Sequence, residues 1–74
     1  MPHACVLVKT TPVHTESVLQ QVHKIKGVRK AFVAYGRFDL VVFAQIAHYG
    51  ETRGISAAIN KLEGVRSTET LPEA

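Results

Sequence analysis

The sequence predicts a small α+β domain in which two β-α-β units follow one another along the chain. Three observations support this fold class. Apolar runs of strand length alternate with amphipathic stretches of helical spacing, glycines end both helical stretches, and the second half repeats the pattern of the first. The chain has 74 residues, so we expect one domain spanning residues 1–74, with a core small enough to need help from oligomerisation.

The predicted elements begin with a strand at residues 4–9, which is apolar at nearly every position, as in a strand covered on both faces. A helix is predicted from about residue 15 to residue 26, and Gly27 is placed to end it. Two strands follow, at 28–35 and 40–46, and then a loop or frayed helix start at 47–53. The second helix has apolar positions at 55, 58, 59 and 62, and Gly64 is placed to end it. The last strand is at 65–71.

The two halves of the chain resemble each other. The segment KIKGVR at 24–29 recurs as KLEGVR at 61–66, and the same shift of 37 residues maps Val18 and Val22 onto Ile55 and Ile59. Two tandem βαβ units form the split βαβ, or ferredoxin-like, sandwich. Because such crossovers are right-handed, both helices should cover one face of an antiparallel sheet with strand order 4-1-3-2.

The central strands are apolar on both faces, although the helices can cover only one. In the first strand Cys5 and Leu7 point away from Val6 and Val8, and the strand at 40–46 alternates in the same way without becoming polar. A large exposed apolar patch is rare on a monomer. We therefore expect a homodimer that forms through the sheet faces, a dimeric α+β barrel, and a higher ring of such dimers.

The sequence YGRFD at residues 35–39 joins the two middle strands. Gly36 and Arg37 are expected to form a two-residue hairpin loop, because glycine at the first position suits the positive φ of such turns. Asp39 follows at once. Taken alone, this stretch indicates a tight turn beside a solvated acid, and a ligand site there needs support from the rest of the chain.

The pattern as a whole resembles the effector-binding domain of the Lrp/AsnC transcription regulators, also called the RAM domain. The resemblance covers residues 4–71. It is carried by the GVRKA junction at 27–31, by the G-x-F-D hairpin at 36–39, and by the closing GV…STET at 64–70. Each motif alone is weak, but the three occur in order and at matching separations. The family implies sheet-face dimers, rings of dimers, and small effectors, usually amino acids, bound between dimers.

Carried over by position, the resemblance implies a ligand-binding site. It implies no catalytic residues, no metal and no cofactor. Its candidate residues are Gly36, Asp39, Thr68 and Thr70, flanked by Tyr35 and Arg37. Their chemistry suits an α-amino acid. Asp39 can pair with the ammonium group, while the Gly36 backbone and the two threonine hydroxyls can bind the carboxylate. Thr68 and Thr70 are two residues apart, so they share one face of a strand.

The family's usual architecture has an N-terminal helix-turn-helix domain, whereas this sequence starts at the first sheet strand. We therefore expect a stand-alone module that acts through assembly with itself or with full-length regulators, without direct DNA binding. No apolar run approaches the ~18 residues of a membrane span, and the lone Cys5 fits a reducing compartment. The expected location is the cytoplasm, with no membrane partner.

Other classes remain open. An ACT-like amino-acid-binding domain shares the topology and the ligand class. A small dimeric ferredoxin-like enzyme would need convergent polar groups, and the sequence scatters its four histidines, at 3, 14, 23 and 48. An RNA-binding domain would need aromatic residues on the first and third strands, which supply only Phe43. A metal carrier is excluded, because it would need C-x-x-C near the first loop, where the sequence has TTPVHT.

Overall fold

The computed structural model describes residues 3–48 and 50–72. Residues 1, 2, 49, 73 and 74, which include the ends of the predicted domain and one residue of the predicted loop at 47–53, lie outside the described residues. The elements, in chain order, are β1 (His3–Thr10), a 3₁₀ turn (Pro12–His14), α1 (Thr15–Val22), β2 (Val28–Val33), β3 (Leu40–Gln45), α2 (Glu51–Asn60) and β4 (Val65–Pro72). The predicted β-α-β-β-α-β order is confirmed.

The four strands form one antiparallel sheet with the order β2-β3-β1-β4. This is the predicted order, read from the other edge. β1 lies between β3 and β4, so that Leu7 pairs with Val41 on one side and with Glu69 on the other. The register shifts near the end of β1, between Lys9 and Thr10, and again in β2 between Val28 and Lys30.

The core lies between one face of the sheet and the two helices. The matched pairs of the internal repeat are all buried: Val18 and Val22 from α1, and Ile55 and Ile59 from α2. They pack against the even-numbered residues of β1 and β3. Apolar burial is the main favourable term in folding, and the repeat thus supplies each helix with an equivalent apolar stripe.

Both repeat glycines adopt the conformation that their positions predicted. Gly27 has φ +96° and Gly64 has φ +95°, values that suit glycine and few other residues. Their carbonyl oxygens accept hydrogen bonds from strand ends in the opposite half, Gly27 from the Gln45 N–H at 2.8 Å and Gly64 from the Thr11 N–H at 2.9 Å. The prediction that these glycines directly end the helices is wrong, because α1 ends at Val22 and α2 at Asn60. Each glycine instead lies in the turn that leads to the next strand and is hydrogen-bonded to the opposite half of the chain.

Three predicted boundaries are wrong. α2 ends at Asn60, so position 62 lies outside the helix that was predicted to include it. α1 ends at Val22 instead of Lys26, because the chain tightens there into turns, with the Lys24 N–H bonded to the Gln21 oxygen. The hairpin loop is longer than two residues. The Ala34 N–H donates to the Asp39 oxygen at 2.8 Å, so residues 35–38 form the loop and β2 ends at Val33 instead of residue 35.

The face of the sheet opposite the helices, called the open face below, is apolar at its centre. All four strands contribute to it, and the residues are Cys5, Leu7, Phe32, Val41, Phe43 and Leu71. Phe32 and Phe43 are 40% and 39% exposed, and their rings lie 6.1 Å apart between centroids. A hollow of about 190 Å³ lies over Cys5, Phe43 and Leu71. The predicted two-faced apolar pattern of β1 and β3 is confirmed, and the sheet-face dimer remains a prediction.

Candidate functional site

The tip of the β2–β3 hairpin projects into solvent. Tyr35 is 97% exposed. Gly36 has φ +132°, and apart from its two chain neighbours no described residue has an atom within 4 Å of the position a Cβ would take. Arg37 is also exposed, and its carbonyl oxygen accepts a hydrogen bond from the Lys9 ammonium at 3.3 Å. These three predicted site residues therefore form an accessible loop with a backbone that glycine allows to turn.

Asp39, at the base of this loop, joins the hairpin to the end of β1. Its carboxylate oxygen Oδ2 accepts a hydrogen bond from the Thr10 backbone N–H at 2.8 Å, and its own N–H donates to the Val8 oxygen at 2.9 Å. A hydrogen bond to a carboxylate is stronger than one between neutral groups. Asp39 thus has a structural role that the sequence did not predict. Its other carboxylate oxygen, Oδ1, takes no part in the hydrogen bond to Thr10.

The Asp39 contact continues toward α1. Thr10 is 3% exposed, and its hydroxyl lies 2.7 Å from the Thr15 hydroxyl at the first residue of α1. A buried hydroxyl needs such a partner. The hairpin, the end of β1 and the start of α1 are therefore connected through three side chains. Thr10 was not among the predicted site residues, and its position at the end of an apolar strand was the only signal in the sequence.

Thr68 and Thr70 share one face of β4, as predicted, and it is the face that the helices cover. They pair with Val8 and Val6, which belong to the core. The Thr68 hydroxyl oxygen lies 3.1 Å from the Ser56 hydroxyl and accepts from the Asn60 amide at 3.0 Å. Thr68 therefore connects β4 to α2 within the chain.

The structure does not bring the hairpin and the two threonines into one concave site within a single chain. Leu40, Val8 and Thr68 lie in one row across three strands, and Asp39 immediately precedes that row. With neighbouring strands about 4.8 Å apart, the backbones of β3 and β4 are separated by about 10 Å, and β1 lies between them. A ligand that contacts both the hairpin and the two threonines would have to extend across β1, or else be bound between two chains.

The histidines are not clustered. His14 lies between the Thr11 hydroxyl, 2.7 Å from its Nδ1, and the Glu63 carboxylate, 3.3 Å from its Nε2. His48 Nε2 lies 3.8 Å from the Glu51 carboxylate at the start of α2. Within residues 3–48 and 50–72, no group of three His, Cys, Asp or Glu side chains is arranged to hold a metal ion.

Cys5 is half-buried on the open face. Desolvation by this burial raises the pKa of the Cys5 thiol above its usual value, which disfavours the reactive thiolate. None of the helices in the described part of the chain is long and apolar enough to cross a membrane.

Solved structures share this architecture over the whole chain. No protein-family model and no curated protein matches the sequence. TTHA0845 from Thermus thermophilus superposes with a TM-score of 0.94 at 25% identity, covering 100% of this chain and 94% of its own. E. coli AsnC superposes with a TM-score of 0.87 at 15% identity, over 97% of this chain and 50% of its own. The chain has the fold of the Lrp/AsnC proteins.

A third structure adds a ligand to this comparison. The feast or famine regulatory protein Rv3291c from M. tuberculosis, complexed with L-methionine, superposes with a TM-score of 0.74 at 16% identity. It covers 99% of this chain, and the chain spans half of that protein and half of AsnC. The Lrp/AsnC fold expected from the sequence motifs is therefore confirmed.

Proposed function

We propose that this chain is an assembly and effector-binding module of the Lrp/AsnC type. In this proposal it forms a homodimer through the open face, builds a higher ring from such dimers, and binds a small effector, an amino acid, at the hairpin where subunits meet. The observation that carries the proposal is the uncovered apolar centre of the sheet in a chain with this fold. An amino-acid-binding role without assembly would leave that surface unexplained.

The composition of the open face suits a second copy of the same chain. Burial of its six apolar residues would remove them from water at a gain of roughly 25 cal/mol per Å² of apolar area. The charges at its edges also favour self-association. Lys30 lies on β2 at one edge and Glu69 on β4 at the other. A two-fold axis along the strands would place each edge over the oppositely charged edge of the partner.

The hairpin offers the groups that an α-amino acid requires. The Asp39 carboxylate can accept from the ammonium group in addition to the Thr10 N–H, since each carboxylate oxygen has two lone pairs. The exposed Gly36 turn leaves room for a ligand carboxylate close to the backbone, with Tyr35 and Arg37 beside it. The complex of Rv3291c with L-methionine supports an amino acid as the ligand class.

The two threonines would enter this site from another subunit. Because β1 separates them from Asp39 within one chain, we infer that a complete site combines the hairpin of one dimer with Thr68 and Thr70 of the next. Thr68 would then share its hydroxyl between α2 and the ligand. Effector binding at such a junction changes the free energy of assembly, which is how a sensor without an enzymatic reaction can act.

The output of the module would then be its assembly, either with itself or with full-length regulators of the same fold, in the cytoplasm. Thermal unfolding in the presence of each common amino acid tests the effector part of the proposal. We expect one amino acid, or a few related ones, to raise the Tm, because a ligand that binds only the folded state stabilises it.

Two variants test whether the amino acid that raises the Tm binds at the hairpin. Asp39→Asn removes the negative charge at the hairpin, and Glu16→Gln removes an exposed one from α1 as the matched control. Each Tm shift is measured against the same variant without ligand. The ligand should lose its effect on Asp39→Asn and keep it on Glu16→Gln. An unchanged shift in Asp39→Asn would show that the amino acid binds elsewhere.

A further inference from the structure

A second concave feature lies at the end of the sheet remote from the hairpin. It is a cleft of about 480 Å³ between the turn that precedes β2, the end of β3 and the first turns of α2. This volume lies within the range of small-molecule sites. None of the six residues predicted from the sequence lines it, and we call it the α2 cleft.

The internal repeat gives the α2 cleft a counterpart in the other half of the chain. The shift of 37 residues maps His14 at the start of α1 onto Glu51 at the start of α2, and Gly27 onto Gly64. In the counterpart, the His14 side chain lies so close to Gly64 that an added Cβ would overlap it. At Gly27, no atom of Glu51 lies within 4 Å of the position that a Cβ would take. The α2 cleft therefore corresponds to the space that an imidazole ring fills in the other half.

The His14 ring shows which kind of group fits between a helix start and a glycine turn of this fold. It is flat, and both of its nitrogens have polar neighbours, the Thr11 hydroxyl at 2.7 Å from Nδ1 and the Glu63 carboxylate at 3.3 Å from Nε2. The shift of 37 residues puts Lys26 in the place of Glu63, and Glu51 in the place of His14. The α2 cleft therefore has its base on the turn and its acid on the helix, the reverse of the other half.

The walls of the α2 cleft carry opposite charges. Lys26 and Arg29 lie on the side of the β2 turn, and Glu51 lies on the side of α2. Arg29 is held in place, because its Nε donates to the Gln45 side-chain oxygen at 2.9 Å, a contact that does not involve the two terminal guanidinium nitrogens. Glu51 is held as well, because its Oε2 accepts from the Ala47 backbone N–H at 3.3 Å. The terminal guanidinium nitrogens suit a planar carboxylate, which accepts two parallel hydrogen bonds from them.

Between the charged walls the cleft is apolar. Val28 and Ile55 line it, and Ile55 is 7% exposed at the edge of the core. Gly27 adds backbone without a side chain, and a Cβ at that position would lie 3.6 Å from the Ile55 side chain. A flat ring can therefore lie against this floor without meeting a side chain at position 27.

We propose that the α2 cleft binds an aromatic carboxylate whose ring carries a hydrogen-bond donor at the end opposite to the carboxylate. The carboxylate lies against Lys26 and Arg29, and the donor lies against Glu51. The ring lies on Val28 and Ile55. Such a molecule separates its two polar ends by a rigid apolar body, as the cleft separates its charged walls by an apolar floor.

This ligand class differs from the one proposed for the hairpin. An α-amino acid carries its ammonium group and its carboxylate on one carbon, so it cannot reach both walls of the α2 cleft with its charged groups. A dicarboxylate also fits less well, because Glu51 repels a second negative charge.

Amide NMR of the full chain tests the inference, with 4-hydroxybenzoate as the probe. Benzoate lacks the donor and phenol lacks the carboxylate, so each control keeps the ring and one polar end. We expect 4-hydroxybenzoate to shift the amide signals of Gly27, Val28 and Glu51. Each control should bind about fivefold more weakly, because it loses one charge-assisted contact that solvent partly screens.

A further compound tests the role of the ring. 6-Hydroxyhexanoate carries the same two end groups on a flexible chain, which loses conformational freedom on binding, whereas the ring is already rigid. We expect it to bind about fivefold more weakly than 4-hydroxybenzoate. Equal binding of the two compounds would overturn the aromatic assignment.

Charge-removing variants provide the second arm. Arg29→Gln and Glu51→Gln should each weaken 4-hydroxybenzoate binding at these amides by about fivefold. Arg66→Gln is the matched control, because the shift of 37 residues maps Arg29 onto Arg66, which is exposed on β4. It should leave binding unchanged. Spectra of the free variants establish that each retains the fold.

The outcomes separate this site from the one at the hairpin. Shifts confined to residues 35–39 would overturn the cleft inference. Phenol that binds as tightly as 4-hydroxybenzoate would overturn the carboxylate contact, and benzoate that binds as tightly would overturn the contact with Glu51. An absence of shifts at the cleft with millimolar 4-hydroxybenzoate would overturn the inference altogether. None of these results changes the Tm response to amino acids, on which the proposed function is tested.

Discussion

At the scale of single residues, the Asp39 carboxylate has one observed role, as the acceptor for the Thr10 N–H, and one proposed role, as a ligand contact. The sequence indicated a charged ligand contact at the hairpin, and the structure shows that one oxygen already accepts from the Thr10 N–H. The observed role could not be foreseen, because Thr10 is distant in sequence and nothing in its neighbours predicts that its N–H faces a carboxylate. The same contact fixes Asp39 in position, which would favour the proposed ligand binding by reducing the entropy lost on binding.

Substitution of Asp39 separates the two roles. Asp39→Ala should lower the free energy of unfolding by about 1–3 kcal/mol, because a buried backbone N–H loses its acceptor. Asp39→Asn retains a side-chain oxygen for this N–H and should cost less, while it still removes the charge needed by an ammonium group. Urea unfolding of both variants measures the difference. Equal losses for the two would contradict the assigned role of the Thr10 contact.

At the scale of elements, the internal repeat predicted most of the fold. Apolar positions 18, 22, 55 and 59 are buried, and both repeat glycines have positive φ. Element ends were less predictable. The apolar Ile25 extended the helical pattern beyond Val22, yet the backbone there forms tighter turns, and Ile25 reaches the core from a turn. Hydrophobic spacing indicates which side chains are buried. It does not determine the backbone hydrogen bonds, and therefore does not show where a helix ends.

The two turn glycines at 36 and 64 should differ in how strictly they are required. Both have positive φ, so alanine at either position should cost about 1–2 kcal/mol in backbone strain. At Gly64 an added Cβ would also meet the His14 side chain, whereas at Gly36 it meets nothing. Overpacking should therefore add about 1–3 kcal/mol in Gly64→Ala alone. Urea unfolding checks this, and an equal loss in the two variants would contradict the packing of His14 against the turn.

At the scale of the whole molecule, the sequence predicted a surface more securely than it predicted a site. Alternation in β1 and β3 placed Cys5, Leu7, Val41 and Phe43 on a face that no helix covers, and the structure has them there. The site residues were inferred from a resemblance, and the structure distributes them over both sides of β1. A site composed of groups from two chains, as proposed, would leave no signature in the spacing of one chain, and its geometry could not be predicted from that spacing.

Assembly through the open face is the central claim, because the interface, the proposed effector site and the proposed output all depend on it. Phe43→Lys places a charge at the centre of this face, while Val13→Lys places the same charge at a position that is 82% exposed on the first connecting turn. Burial of the unpaired lysine in an interface is costly. Phe43→Lys should therefore dissociate the assembly, and Val13→Lys should not.

The most direct measurement is the molar mass by light scattering during size exclusion at micromolar concentration. We expect at least twice the chain mass of 8.1 kDa for the wild type and for Val13→Lys, and a mass near that of one chain for Phe43→Lys. A wild-type chain that elutes as a monomer across the micromolar range would contradict assembly through the open face, and so would a Phe43→Lys variant with the wild-type mass.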